Sequence, residues 1–227
     1  MRKLLKNTVE KDTFSLLEML QQDEKLSNFY LVGGTALALN LGHRYSIDLD
    51  LFSPTSFDTA EFLQYLTEKY EFVRLSQSMQ LSKVILQGKI KDVKVDLVVN
   101  AYPFVEEPVK IEGVRMYSLK DIAAMKLIAI ADSGKRLKDF VDVAYLSTVM
   151  SFRQMIEAFV KKYNVNWDRV VRSLTYYGDI KFDEKIDLID AVYSFEPISE
   201  RLHDMKRNPD KIYPDFPIRK TKLSKNK

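Results

Sequence analysis

The stretch from residue 29 to residue 52 constrains this chain more than any other. It reads FYLVGGTALALNLGHRYSIDLDLF, an apolar strand followed by Gly33 and Gly34, a short helical run, and a second strand. In the second strand, Asp48 and Asp50 alternate with apolar residues. Side chains two residues apart on a strand point to the same face, about 7 Å apart along the backbone. The pattern therefore predicts two carboxylates on one face of a sheet.

Two carboxylates on one face repel each other unless a cation lies between them, so we predict a divalent metal site, most simply Mg²⁺ with oxygen ligands. Asp96 lies in the middle of an otherwise apolar predicted strand, where a charge is costly unless it is paired or metal-bound. A solvent-facing Asp96 on a half-exposed strand is one interpretation. We favour the other, in which Asp96 is a third carboxylate at the same metal.

The glycine pair predicts a second half of the same site. Glycines at a helix start let backbone N–H groups approach an anion closely. Thr35 is the expected N-cap of a helix over residues 35–41. A metal together with a phosphate cradle indicates nucleotide chemistry.

Composition limits the class of protein. The 227 residues are 46% hydrophobic and 30% charged, as in an ordinary soluble globular protein with one large or two small domains. Cysteine is absent, which excludes disulfides and thiolate metal sites. No apolar run approaches the roughly 20 residues that span a bilayer, and the basic N-terminus lacks a signal-peptide core. We expect a soluble, cytoplasmic protein without a membrane partner.

Hydrophobic periodicity predicts an α+β protein. Strands are expected over residues 29–32, 47–52, 71–75, 82–90 and 93–99, and helices over 8–24, 35–41, 58–70, 119–132, 135–148, 152–163, 167–177 and 185–193. After Pro108 the composition becomes mainly helical, and the prolines from 197 onward indicate an irregular end. We therefore expect a core domain over residues 1–113, a helical domain over 114–216 and a basic tail over 217–227.

Two features of the second half have more than one interpretation. Lys126 lies on an otherwise apolar helix, either snorkelling to the surface or reaching a nucleotide phosphate. In the next helix, Lys135 and Asp139 are four residues apart, as are Lys138 and Asp142, and this spacing is typical of a solvated ion-pair face. Lysine N-terminal to aspartate is the weaker orientation of such pairs, however, so helix stabilisation explains the arrangement poorly.

The tail over residues 217–227 carries five basic and no acidic side chains. It is either a disordered, solubilising segment or an electrostatic arm for RNA, whose phosphates attract lysine and arginine without regard to sequence.

Taken together, these motifs resemble a known fold and family. The order Gly-Gly, Asp-x-Asp on a strand and a third Asp on a later strand resembles the nucleotidyltransferase fold of the polymerase-β type. The wording GGTALAL, then Gly42-His43-Arg44, Ser46 and DLDLF, followed by Lys126 and the run from Arg136 to Asp142, is similar to the AbiEii/AbiGii family of toxin nucleotidyltransferases. The resemblance implies a mixed sheet with flanking helices, followed by a mainly helical C-terminal region.

The same resemblance implies roles for individual residues. Asp48 and Asp50 would bind Mg²⁺ carrying the triphosphate, and Asp96 would share the metal and orient or deprotonate an acceptor hydroxyl. Lys126 would steady the phosphates, with Asp142 in a supporting role near it. The other implied nucleotide-binding residues are Gly33, Gly34, Thr35, Arg44, Ser46 and Arg136.

The implied activity is transfer of a nucleotide from an NTP to an acceptor. For some members of the family the resemblance implies that this acceptor is RNA, such as the tRNA 3′ end. It also implies that an antitoxin encoded alongside opposes the toxin. Many relatives in the wider superfamily have Gly-Ser where this chain has Gly33-Gly34, with Thr35 the nearest substitute. Two other functions stay open: modification of a small-molecule antibiotic with the same metal triad, and nucleotide binding without catalysis.

Overall fold

A computed structural model describes residues 3–75 and 81–218. The chain divides into two compact units: residues 1–40 with 46–118 form the first unit, and residues 41–45 with 119–227 form the second. The predicted domains, with boundaries at residues 113 and 216, stay a prediction. Most of the predicted basic tail, residues 219–227, lies outside the described residues.

The first unit is built on a mixed sheet. Its described strands are β1 (Tyr30–Leu31), β2 (Leu49–Ser53), β3 (Val73–Arg74), β4 (Ile85–Ile90), β5 (Val93–Val99), β6 (Val109–Ile111) and β7 (Val114–Met116). They lie in the order β3-β4-β5-β2-β1-β7-β6, with β2–β5 and β1–β7 parallel and the other pairs antiparallel. The predicted α+β class with a mixed sheet is confirmed.

The central strands show why the sequence folds this way. Leu49 and Leu51 on β2 and Val95 and Leu97 on β5 are all buried, because alternate residues of a strand point to one face. The residues between them point to the other face, where the acidic side chains lie. Lys91 and Asp92, which lie between the two predicted strands, form the turn that joins β4 to β5, with Lys91 at a φ of 52°.

The α-helices described in the first unit are α1 (Lys11–Gln22), α2 (Gly33–Leu41), whose last residue belongs to the second unit, and α3 (Thr59–Tyr70). The Ala-Leu run at residues 36–39 is fully buried, as expected of a helix that is apolar on every side. Because α2 begins at Gly33, Thr35 lies inside its first turn, and the expectation that Thr35 is the N-cap is wrong.

The hairpin of β6 and β7 was not predicted, and the expectation of mainly helical structure after Pro108 is wrong for this segment. Each strand has three residues, too few for alternation to be visible. Glu112 and Gly113 form the turn, both with positive φ.

The second unit is helical. Its described helices are α4 (Leu119–Asp132), α5 (Leu137–Leu146), α6 (Phe152–Tyr163), α7 (Asp168–Ser173) and α8 (Phe195–Arg207). Helices α4 and α6 have the predicted bounds, and a buried ion pair joins them, with Lys162 Nζ 2.8 Å from Asp121 Oδ1. The predicted helix over residues 185–193 is wrong. Helix α8 was missed because Pro197, which the first turn of a helix tolerates, was taken as a sign of irregular structure.

Candidate active site

Asp50 and Asp96 are register partners in the parallel ladder of β2 and β5. Neighbouring strands lie about 4.8 Å apart, and partners in a ladder share one face of the sheet. The structure therefore brings two of the three predicted carboxylates side by side, although they lie far apart in the sequence.

The first turn of α2 lies against the Asp50 carboxylate. Gly33 has a φ of +70°, and a Cβ at this position would lie 2.5 Å from Asp50 Oδ2. Real Cβ atoms are not found so close to another heavy atom, and the left-handed backbone also disfavours a side chain. The left-handed backbone thus favours glycine here, and a Cβ would require the Asp50 carboxylate to shift. Gly34, the next residue of the turn, is half-buried.

Asp48 is fixed through its backbone. The Thr35 hydroxyl hydrogen-bonds with the Asp48 carbonyl oxygen and lies 2.9 Å from Ser46 Oγ. Thr35 and Ser46 are both buried, whereas the Asp48 side chain is half-buried. The two hydroxyls therefore tie α2 to the segment that carries Asp48.

Asp96 is held through one oxygen only. Its Oδ2 accepts hydrogen bonds from Lys94 Nζ at 2.6 Å and from Gln87 Nε2 at 2.8 Å. Its Oδ1 is buried and has no hydrogen-bond partner within residues 3–75 and 81–218. A buried oxygen without a partner is costly, so Oδ1 is suited to a cation or a donor from a ligand.

Lys94 and Gln87 were not singled out from the sequence. Lys94 lies two residues before Asp96 on the same strand, so the Lys-x-Asp spacing places both side chains on one face. Burial lowers the pKa of Lys94, but the hydrogen bond and charge of Asp96, with the charges of Asp50 and Asp48, raise it above its ordinary value. The Lys94 ammonium thus lies in the field of all three acidic residues.

The predicted metal ligands fit a hard divalent cation in chemistry. They are oxygen donors on one face, and Asp96 Oδ1 is the unpartnered atom that such an ion would satisfy. Among the described residues, however, no group of three or more His, Cys, Asp or Glu side chains is arranged to hold a metal ion. Asp96 Oδ2 is instead occupied by Lys94 and Gln87, and the metal triad stays a prediction.

A second group of predicted residues meets inside the second unit, around Asp142. Arg44 donates from Nε to Asp142 Oδ1 at 2.7 Å and from Nη2 to Oδ2 at 3.0 Å. Lys126 Nζ lies 2.7 Å from Asp142 Oδ2 and 2.7 Å from Asp139 Oδ1. His43 Nε2 lies 2.9 Å from Asp142 Oδ1. All five side chains are buried.

Charge in this cluster is balanced. Burial raises the pKa of the Asp142 carboxyl, but the charges of Arg44 and Lys126, with hydrogen bonds from His43 and Arg44, hold it well below the usual value. Burial lowers the pKa of His43, so its imidazole is neutral at pH 7 and Nε2–H donates to Asp142. Two cations thus face two carboxylates, as a buried ion network requires.

This network corrects two sequence-based interpretations. Lys126 does not snorkel, since 5% of its surface is exposed and its ammonium is bound to two carboxylates. The solvated ion-pair face is also wrong, because Asp139 and Asp142 are buried and Lys138 pairs with Glu184 at 3.3 Å.

Of the predicted nucleotide contacts in the second unit, Arg44 and Lys126 are engaged by carboxylates, whereas Arg136 has an exposed side chain. The Arg136 side chain is 63% exposed, with Nε 3.8 Å from Asp139 Oδ2. Its predicted role stays a prediction.

Comparison with known proteins decides the family. Residues 15–210 match the sequence model described as "Nucleotidyl transferase AbiEii toxin, Type IV TA system". The chain belongs to the AbiEii family of toxin nucleotidyltransferases. An uncharacterized protein of Aquifex aeolicus (strain VF5) is 30% identical over 194 residues, which cover 82% of this chain and 88% of that protein. The family and the nucleotidyltransferase activity predicted from the sequence are confirmed.

Solved structures share the fold of this AbiEii protein. MenT4, nucleotidyltransferase toxin Rv2826c from Mycobacterium tuberculosis H37Rv, has a TM-score of 0.53 at 14% identity, covering 87% of this chain and 84% of its own. JHP933 from Helicobacter pylori has a TM-score of 0.52 at 18% identity, covering 89% and 93%. Within the described part of the chain, no helix combines the length and apolar character needed to span a membrane.

Proposed function

We propose that this AbiEii-family toxin is a metal-dependent enzyme that transfers a nucleotide from an NTP to an RNA acceptor. The observation that carries the proposal is the pairing of Asp50 with Asp96 across β2 and β5, with Asp96 Oδ1 buried and unpartnered among the described residues. Gly33, at the start of α2, lies against Asp50. Carboxylates beside a helix N-terminus suit a cation bound to a polyphosphate.

Asp48, Asp50 and Asp96 would hold the metal, and Mg²⁺ is the ion whose ligand preference they match. A bound divalent ion would supply neutralisation of the triphosphate charge and alignment of the attacking and leaving oxygens. Asp96 is the residue that would orient the acceptor hydroxyl, because its Oδ2 is already fixed by two donors and its Oδ1 is available.

The phosphate side would be formed by the first turn of α2. Backbone N–H groups of Gly33 and Gly34 are among the amides of a helix N-terminus that lack intrahelical partners. Thr35 and Ser46 would act by holding this turn to the Asp48 segment, since their hydroxyls are engaged there.

In the proposed reaction, the acceptor hydroxyl oxygen bonds to the α-phosphorus while the bond from that phosphorus to the β-phosphate oxygen breaks. Pyrophosphate leaves with the electron pair of the broken bond. The hydroxyl proton passes to Asp96 and then to solvent. Arg136, whose side chain is exposed, is kept as a candidate nucleotide contact.

Arg44, Lys126 and Asp142 would act differently from the roles implied by resemblance alone. Their charges are satisfied by one another and by Asp139. We assign them a role in stabilising the second unit, and a direct phosphate contact by Lys126 would require its two ion pairs to open.

RNA is proposed as the acceptor because of the family resemblance and the five basic residues of the sequence over 217–227. An antitoxin encoded alongside is the proposed opposing partner. A small-molecule acceptor would instead need a closed acidic pocket.

The test is incubation of the protein with each labelled NTP, Mg²⁺ and total RNA, with and without a chelator. Label in the RNA fraction that disappears with the chelator supports the proposal. Label in a small molecule, or nucleotide binding without transfer, would overturn the RNA acceptor or the catalytic function respectively.

A further inference from the structure

Lys94 occupies an unusual place on the carboxylate face. It lies on β5 two residues before Asp96, with Nζ 2.6 Å from Asp96 Oδ2. Its side chain is 35% exposed, whereas that of Asp96 is 8% exposed. The Lys94 ammonium therefore lies where solvent meets the buried carboxylate.

Asp96 does not depend on Lys94 alone. Gln87, the register partner of Asp96 on β4, also donates to Oδ2, at 2.8 Å. If the ammonium leaves, this oxygen keeps a hydrogen bond, so Lys94 can move without leaving a buried oxygen unpartnered.

The same ammonium faces the other two acidic residues electrostatically. The charges of Asp50 and Asp48 act on Lys94 together with that of Asp96. A divalent cation bound among these carboxylates would be repelled by the Lys94 ammonium, because both carry positive charge at close range. An incoming triphosphate offers the ammonium a new anionic partner, and lysine, a point charge on a flexible stem, is suited to change partners.

We propose that Lys94 is a mobile phosphate ligand that neutralises the carboxylates in the free protein and moves to the triphosphate when the metal–nucleotide complex binds. The inference rests on the proposed function. It makes metal binding and nucleotide binding mutually dependent. The nucleotide draws away the ammonium that repels the metal, and the metal neutralises the carboxylates that repel the nucleotide.

The experiment measures binding by calorimetry, without turnover. Mn²⁺ is added to the protein alone, and then to protein saturated with a non-hydrolysable analogue of each NTP. The variants are Lys94→Met, Lys94→Arg and a matched control, Lys89→Met. Lys89 is exposed and is the register partner of Lys94 on β4, so its removal changes the same charge one strand away.

We expect Lys94→Met to bind Mn²⁺ alone about tenfold more tightly and the analogue with Mn²⁺ about tenfold more weakly than wild type. Lys94→Arg should keep most of the dependence between the two ligands, and Lys89→Met should differ from wild type by less than about twofold. Unfolding curves of each variant establish that every binding measurement is made on folded protein.

Two results separate this inference from the proposed function. Wild-type protein that binds neither Mn²⁺ nor any analogue would overturn both. Wild-type protein that binds both, with the dependence unchanged in Lys94→Met, would overturn the role of Lys94 alone. Weaker Mn²⁺ binding by Lys94→Met would also overturn it, since Lys94 would then act by positioning Asp96.

Discussion

Asp50 stands directly beside Asp96 in the parallel ladder of β2 and β5, on the face of the sheet opposite to the buried leucines and valines. This relationship converts an Asp-x-Asp motif and a distant third aspartate into neighbours. The first turn of α2 approaches Asp50 through Gly33. The proposed chemistry depends on this arrangement, and several of its consequences are measurable.

Replacement of Gly33 by alanine should displace the Asp50 carboxylate, because the new Cβ would lie 2.5 Å from Oδ2. We expect nucleotide transfer to fall about a hundredfold, as for an ångström-scale misplacement of a reacting group. Gly113→Ala is the matched control, since Gly113 also has a positive φ, of +90°, but nothing lies within 4 Å of its added Cβ.

Both glycine variants should lose about 1 kcal/mol of stability from the left-handed backbone. Only Gly33→Ala should lose transfer. Equal transfer by the two variants would show that the close approach to Asp50 has no functional role.

Lys126→Met should destabilise the protein. The substitution keeps the length of the side chain but leaves two buried carboxylates, Asp139 and Asp142, short of a counter-charge. Breaking a buried pair from one side costs about 3 kcal/mol or more, which chemical denaturation would measure. The control is Lys135→Met, which removes an exposed lysine from the segment before α5.

A wild-type unfolding curve for Lys126→Met would contradict the buried ion network. Transfer by the folded variant tests the phosphate role that the resemblance implies for Lys126. Loss of a phosphate contact would reduce transfer by at least about tenfold, whereas a purely structural lysine would leave the rate of the folded fraction unchanged.

Acid should weaken the second unit through His43. Because burial lowers the pKa of folded His43 below its ordinary 6.5, the unfolded chain binds a proton more readily as the pH falls below that value. Asp142 adds to the loss at lower pH, since its folded pKa lies well below the ordinary 3.8 and its contribution disappears as the pH falls through that lower range.

The measurement is the free energy of unfolding between about pH 7.5 and pH 5, where His43 contributes a slope of at most about 1.4 kcal/mol per pH unit. His43→Gln should flatten this slope, whereas replacement of the exposed His203, the second of the two histidines, should not. An identical slope in wild type and His43→Gln would exclude the neutral, buried imidazole.

Asp48→Ala should abolish both transfer and growth inhibition while leaving the fold intact. The Asp48 backbone carbonyl, which hydrogen-bonds with Thr35, is kept in this variant, and the side chain is half-buried. Induced expression in a bacterium gives the growth readout, and circular dichroism monitors the fold. Unchanged toxicity of this variant would contradict the proposed mechanism.

The sequence predicted the acidic face well because alternation along a strand determines the face on which a side chain lies. The bounds predicted for β5 match the structure, and Asp96 was recognised as a charge in an apolar strand. Lys94 obeys the same alternation but was overlooked, since a lysine near a strand end is usually solvent-exposed.

Long-range pairing could not be predicted from periodicity. Residues 187–189, expected to be helical, bond with the loop at 43–45 instead: Tyr45 N donates to Asp187 O at 2.8 Å, and Ile189 N donates to His43 O at 3.0 Å. The partners of Lys126 likewise lie on another helix. Local patterns indicate which side chains are buried, but not which distant charges satisfy them.

The most direct test of the central claim is transfer of label from NTP by Asp96→Asn. Asparagine keeps the shape of the side chain and removes the charge that the proposed metal and acceptor sites require. We predict at least a roughly hundredfold loss of transfer, with wild-type unfolding behaviour. The control Asp92→Asn, in the exposed β4–β5 turn, should transfer at close to the wild-type rate. Transfer by Asp96→Asn at the wild-type rate would contradict the account.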